Sequence, residues 1–241
     1  MCYHYSNKRQ KHDAAKQREI GAETAPDYNG TIYHANGFTH PAMPVITQQA
    51  PHLVQMMAWG DFPGNYNQLN ARAETVFERP AYHQAILTHR CLIEATGFFE
   101  WRAVKRKKIP YFISVKDDAQ PQYDRYFYFG GLYTEWKDTN GIAHRGFSIL
   151  TTEANALMAE IHNTKKRMPF ILPTSTEATW LNPMLTHSDI EKLMQPYAHE
   201  KMRAYTISPL ITSRQQPTNV PEVLQPLMYP ELSAEQGRLL L

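Results

Sequence analysis

The sequence predicts an α+β fold in which mainly antiparallel sheets curl into a barrel-like core with flanking helices. Three observations carry that expectation. Apolar runs of strand length, rich in aromatic and β-branched residues, recur from "PVIT" to "MRAYTIS". Segments with a helical period are few and short. With 42% apolar and 12% aromatic residues in 241, the chain has material for one sizeable core and little reason to be disordered. Residues 1–215 are expected to form one domain, and residues 216–241 a Pro-rich tail packed on it or extending from it.

In chain order, residues 7–20, "NKRQKHDAAKQREI", are polar and helix-prone and end at Gly21. From Gly30 to Pro51 the density of Pro, Gly, Asn and His reads as a long loop wrapping short strands. "HLVQMMAWG" is a buried strand, and residues 78–88 read as a short helix. "HRCLIEATGFFEWRA" is a strand with an irregular centre at Ala95–Gly97, followed by a hairpin whose turn, "RAVKRKK", is basic. "YFYFGGLYTEW" and "RGFSILTTEA" are further strands, "EANALMAEIH" is helical, and "MPFIL" is a strand. A helix at "DIEKLMQPY" and a strand at "MRAYTIS" complete the domain.

Composition narrows the function classes. A net charge of +2 is too small to argue for nucleic acid alone, although a local basic groove remains compatible with it. Two cysteines cannot build a disulfide framework, which points to a reducing compartment. No apolar run is long enough for a membrane span, and the N-terminus lacks the apolar core of a secretory signal. The expectation is a cytoplasmic monomer with no membrane partner.

Four short stretches could carry chemistry. In "MCYHYS", loss of Met1 would leave Cys2 with its α-amine and thiol on one residue. The amine, with a reference pKa near ~7.7–8.0, is partly neutral at physiological pH and can form an imine with an aldehyde. The thiol can then close a five-membered thiazolidine. Position alone equally fits an incidental residue on a loose terminus. In "LNARAET", Asn70 offers an amide, Arg72 a planar fork suited to phosphate and Glu74 a carboxylate; the same pattern fits an ordinary helix start. In "GFFEW", Glu100 between aromatics would have a raised pKa if buried, and simple alternation would instead turn it outward. "IHNTKKRMP" pairs an acid/base candidate, His162, with the cations of a helix end and with Arg167. The remaining histidines show no metal spacing, so neither metal nor cofactor is expected. The basic turn at Arg102–Lys108 fits a solvated loop, and its neighbouring aromatics also allow a nucleic-acid rim.

Taken together, "MC", "WG", "NARAET", "RCLIEATGFFEW", "PYFI", "GGLY", "ILTTEAN" and "IH…RMP" resemble the SRAP family, the SOS-response-associated peptidases, from Cys2 to about residue 210. The resemblance implies the SRAP fold and an abasic-site processing protein that acts on single-stranded DNA, including its junctions with duplex. It implies that Met1 is removed, that Cys2 crosslinks to the ring-opened sugar as a thiazolidine, and that lyase and crosslink-reversal activities accompany this. Asn70 would orient the N-terminus, Glu100 would move protons and His162 would stabilise the Schiff base and act in β-elimination. Arg72 and Arg167 would hold phosphates.

Three departures stand out. His4 occupies a place where the family often has arginine, and is a substitute DNA contact. After Trp59-Gly60 the segment "DFPGNYNQ" lacks a usual tryptophan, leaving Phe62 or Tyr66 to substitute as the base-stacking residue, with Trp59 a further candidate DNA contact. The His162-to-Arg167 spacing is three residues longer than the common form. Two other function classes stay open: a thiol peptidase or N-terminal-nucleophile amidohydrolase built on Cys2 and His162, and a non-covalent single-strand binder.

Overall fold

The computed structural model describes residues 2–8, 30–63 and 68–232. The helix expected at residues 7–20 lies almost wholly outside them, as does Tyr66. In chain order the strands are β1 (His4–Asn7), β2 (Ile32–Asn36), β3 (Ala42–Thr47), β4 (Ala50–Trp59), β5 (Asn70–Arg72), β6 (Arg90–Ala95) and β7 (Gly97–Val104). They continue with β8 (Lys107–Lys116), β9 (Asp124–Arg125), β10 (Phe127–Lys137), β11 (Ala143–Glu153), β12 (Arg167–Pro169) and β13 (Met202–Thr206).

Two sheets organise these strands. In the first, β10, β6, β3, β4 and β11 pair in that order, and pairing of β10 with β11 closes a five-stranded barrel. Its parallel pairings, β4 with β11 and β5 with β11, make the sheet mixed. The second sheet is antiparallel in the order β13, β8, β7, β1, β2, with β9 added to β8. The α+β, barrel-like expectation holds.

The barrel strands read as nearly unbroken apolar runs because both their faces are buried. Val45, Ile93, Phe127, Phe129 and Ile149 point into the core shared by the two sheets. Their chain neighbours Ile46, Leu92, Tyr128 and Leu150 face an outer layer with Phe170 and Trp180. At about 1.5–3 kcal/mol for each large side chain taken from water, these two layers dominate the driving force for folding. The second sheet is also covered outside: Phe99 and Phe112 pack on Ile207, Ile211 and Val223 of the C-terminal segment. That segment is fastened by hydrogen bonds from Leu227 N to Thr206 O (2.9 Å) and from Tyr229 OH to Ile207 O (2.8 Å).

The irregular centre of "CLIEATGFFEW" is where the chain changes sheets. Ala95 pairs with Phe127 in the barrel, whereas Gly97 pairs with Ser6 of β1 in the second sheet. Thr96 between them donates its N–H to Ser6 O at 2.8 Å. Gly97 is needed for close approach, since a Cβ there would run into the Phe112 ring.

Some expectations shift. The stretch from Gly30 to Pro51 is mostly strand, not loop, with a single 3₁₀ turn at Gly37–Thr39. Pro44 is accommodated because β3 pairs only with β4 at that point, its pairing with β6 starting at Val45. The helix expected at residues 78–88 shrinks to Ala85–Thr88, with Pro80 in the turns before it. "MPFIL" leaves the ladder of β12 at Pro169. The helix Ala156–Ile161 begins at Asn155, whose side chain accepts from Met158 N, and His187–Leu193 begins with a Thr186–Asp189 capping box. Among the described residues no helix is long and apolar enough to cross a membrane.

Candidate functional site

The far half of β11, "ILTTE", is the spine of the site. On one edge β5 aligns in parallel, setting Asn70 opposite Ile149 and Arg72 opposite Thr151. On the other edge β12 sets Met168 opposite Thr152 and Arg167 opposite Glu153. The "NAR" and "RMP" motifs, almost a hundred residues apart, are thereby held across one strand.

The second sheet delivers the other groups. Cys2 lies two residues before β1, which runs antiparallel beside β7 with Tyr5 opposite Phe98. Asn70 reaches across and donates from Nδ2 to the Cys2 carbonyl at 2.9 Å. Along β7, Phe98 joins the core that contains Cys2, and Phe99 joins the outer cluster. Glu100, two residues beyond Phe98, follows the inner face and is buried, 8% exposed. Outward alternation therefore does not describe this strand: the C-terminal segment covers the outer face, so the aromatics take it and the carboxylate turns inward.

His162 sits where the helix Ala156–Ile161 ends, with its N–H bonded back to Met158 O. Its Nδ1 lies 3.0 Å from Arg167 O and 3.4 Å from Glu100 Oε2. Both neighbours are acceptors, so Nδ1 carries the proton and Nε2 is the basic nitrogen. Burial pushes the His162 pKa down, the Glu100 carboxylate opposing that shift. The ring is thus neutral at physiological pH. The Cys2 thiol is fully buried, and desolvation, reinforced by the Glu100 charge, pushes its pKa far up. Its Sγ donates to His4 O at 3.8 Å.

A cleft of about 470 Å³ opens over Glu100 and His162, with Tyr3, His4 and Trp101 on one wall and Lys108, Thr164 and Lys165 among the residues lining it. Tyr3 packs on Phe38, ring centroids 5.0 Å apart, and His4 meets Trp101 edge-on, also at 5.0 Å. His4 Nδ1 is 2.8 Å from His34 Nε2. Burial lowers the pKa of His4 to about 3, helped by His34, and that of His34 to about 4.

The structure brings Cys2, Asn70, Glu100, His162 and His4 together. It takes two expected DNA-contacting residues, Trp59 and Phe62, out of the surface. Trp59 is fully buried and donates from Nε1 to Leu69 O at 2.9 Å, stacked parallel to Phe147. Phe62 is 2% exposed and packs edge-on against Tyr82. Arg72 is exposed at the end of β5. Arg167 is already engaged, donating to Glu74 Oε1 at 2.5 Å and to Thr151 O at 2.6 Å. Sequence reasoning passed over His34 and Asn163 as residues of the site. His34 carries no local signal because its partner is thirty residues away in sequence. Among the described residues no group of three or more His, Cys, Asp or Glu side chains could hold a metal ion.

A model of the family "SOS response associated peptidase (SRAP)" matches residues 1–214. Among curated proteins, the chain is 34% identical over 205 residues to the abasic site processing protein YoqW of Bacillus subtilis, covering 80% of this chain and 87% of that one. It is 36% identical to the abasic site processing protein YoaM of the same organism, covering 70% of this chain and 74% of that one. A crystal structure of a protein from Bacteroides thetaiotaomicron superposes with a TM-score of 0.84 at 35% identity, covering 94% of this chain and all of that one.

Proposed function

This chain belongs to the SRAP family, and from that premise we propose that it processes abasic sites in single-stranded DNA by covalent attachment through Cys2. The observation that carries this reading is the hydrogen bond from Asn70 to the Cys2 carbonyl, which holds the first residues beside the Glu100–His162 pair under an open cleft.

The steps follow from the groups present. Removal of Met1 frees the Cys2 α-amine, which attacks the C1′ aldehyde of the ring-opened deoxyribose and loses water to form an imine. The thiol then adds to the imine carbon, its proton passing to nitrogen, and the thiazolidine closes. Imine formation needs a neutral amine at neutral pH, and burial of Cys2 works against the charged form. Glu100 transfers protons to and from the sugar oxygen as the ring opens and as the crosslink reverses. His162, neutral at Nε2, is suited to abstract the proton whose loss eliminates the 3′ phosphate, the step that would give lyase activity. Arg72, exposed beside Asn70, grips a flanking phosphate, while Arg167 positions Glu74 and the end of β11.

The thiol peptidase reading draws less support, because a thiol held far above its ordinary pKa is a poor thiolate nucleophile towards a separate amide, whereas its addition to an imine on the same residue is intramolecular. The test is incubation of Met1-processed protein, verified by mass spectrometry of its N-terminus, with an abasic single-stranded oligonucleotide. A denaturation-resistant adduct that disappears with Cys2→Ala is expected. Processed protein that forms no adduct, or an adduct that survives Cys2→Ala, overturns the proposal.

A further inference from the structure

The cleft has a second wall whose chemistry the proposed function does not use. It is built from two segments distant in sequence: the tip of the β7–β8 hairpin and the loop that follows His162. In the hairpin, Ala103 of β7 pairs with Lys108 of β8. The loop is pinned to that position by Asn163, which accepts from Ala103 N at 3.1 Å through Oδ1 and donates to Ala103 O at 2.9 Å through Nδ2. Both backbone groups of one edge residue are taken by a single side chain, so the loop is docked as an added strand would be. Thr164 and Lys165, next along the loop, line the cleft together with Lys108.

The charge of this wall is unbalanced. The nearby acids are already engaged: Glu160 pairs with Arg102 at 2.7 Å, and Glu231 pairs with Lys107. Among the described residues Lys105, Arg106, Lys108, Lys165 and Lys166 have no ion-pair partner. Lys105, at φ 53, turns the hairpin tip, and Lys166, at φ 49, closes the loop, so the cations lie on two adjoining bends. The same cleft is also lined by Tyr3, His4 and Trp101, which are aromatic and uncharged at neutral pH, His4 because its pKa lies near 3. A cleft lined by both cations and aromatics offers partners for the two components of a single nucleic-acid strand, backbone and bases.

We propose that Lys108 and Lys165, held together by Asn163, form a phosphate-binding wall for a single DNA strand lying in this cleft, with Tyr3, His4 and Trp101 facing its bases. The proposal rests on the DNA-processing reading above but concerns non-covalent grip, so an undamaged strand tests it. The Lys pair sets how tightly the strand is held and how strongly salt weakens it; Asn163 is a positioning residue that acts through them.

The experiment is fluorescence anisotropy of full-length protein with a labelled, undamaged oligothymidylate, repeated over a salt series. Each phosphate contact to a single strand contributes about −0.7 to the slope of log K against log salt, so Lys108→Gln with Lys165→Gln should flatten it by about 1.4. At a tenth of the salt concentration where the two proteins bind alike, that is a roughly 25-fold weaker complex. Asn163→Ala, which removes no charge, should also flatten the slope by about 0.7 or more while circular dichroism shows the fold retained. An unchanged slope in the double Lys variant overturns this proposal and leaves the covalent reading standing. A reduced slope in the Lys variant with a wild-type slope in folded Asn163→Ala overturns the positioning role. Wild-type protein that binds no single strand at all overturns both this wall and the function it rests on.

Discussion

The chain has two cysteines, both fully buried in one continuous core, yet their surroundings differ in kind. Cys91 lies in β6 within the barrel, flanked in register by Thr47 and Gly131, and its carbonyl accepts from the Trp180 indole at 3.0 Å. Cys2 directly precedes the cleft residues Tyr3 and His4 in sequence, its carbonyl held by Asn70, with Glu100 close enough to raise its thiol further. Burial pushes both thiols up. Burial alone thus does not separate a structural cysteine from a reactive one. What separates them is a free chain end in prospect, a cleft above it and a carboxylate–imidazole pair beside it.

The sharpest way to break this comparison is to exchange each thiol for a methyl. Cys2→Ala should abolish adduct formation with abasic DNA on a denaturing gel. Cys91→Ala should leave the adduct intact and cost about 1–2 kcal/mol in denaturant-monitored stability, the price of a small cavity in a packed barrel. An adduct lost with Cys91 and kept with Cys2 would reverse the assignment.

The next effect separates the pair beside Cys2. Glu100→Gln keeps the shape and removes the proton acceptor, so the adduct should still form while its reversal slows by about 10²-fold or more, within the usual range for a general acid–base group. His162→Ala should leave the crosslink and remove strand nicking, measured as product bands on the same gel. Because burial holds His162 below its ordinary pKa of 6.5, nicking should persist as the pH falls through 6.5 and fail only at a more acidic pH.

The cleft region should also be the acid-sensitive half. His4 and His34 have folded pKa values of about 3 and 4 against an ordinary 6.5, so the folded state refuses protons that the unfolded chain binds. Above 6.5 neither state is protonated and nothing is at stake; stability is lost as pH falls through that value. At pH 5 either ring alone represents a difference of up to about 2 kcal/mol. His89 and His162, also depressed by burial, bend the curve the same way. Thermal melts from pH 7 to about 5 should show the loss, and His34→Gln should flatten it. A melt that is flat in wild type would mean that these rings take up protons in the fold.

How much of this was legible in the sequence differs between the same two regions. The barrel strands were readable, since aromatic and β-branched runs buried on both faces leave an unbroken apolar signal. The break at Ala95–Gly97 was readable too, and the structure gives it meaning as a change of sheet. Glu100 was visible as an odd charge between aromatics, but its direction depended on whether Ile207, Ile211 and Val223 would cover the outer face, which no local pattern encodes. Trp59 and Phe62 misled for a related reason: a large aromatic near a site motif looks the same whether it packs inward or stacks outward. The stretch after Gly30 misled because Pro and Gly density signals loops, whereas Pro44 sits where β3 pairs with a single neighbour. The long-range fastenings, His4 to His34 and Asn163 to Ala103, belong to tertiary structure alone.

The smallest of these effects concerns the tether that distinguishes Cys2 from Cys91. Asn70 spends its Nδ2 on the Cys2 carbonyl, and its Oδ1 is buried with no hydrogen-bond partner among the described residues. One neutral hydrogen bond is worth about 1 kcal/mol net, so Asn70→Ala should slow crosslinking by roughly fivefold in single-turnover assays without abolishing it. Asn70→Asp is the more informative change. It matches the shape but replaces the donor with a charge facing a carbonyl, which repels where the amide attracted. If orientation of Cys2 is what Asn70 provides, Asp should be worse than Ala. If Asp instead matches wild type, the amide donor is not what matters, and the buried Oδ1, which both side chains possess, becomes the group that acts on the sugar.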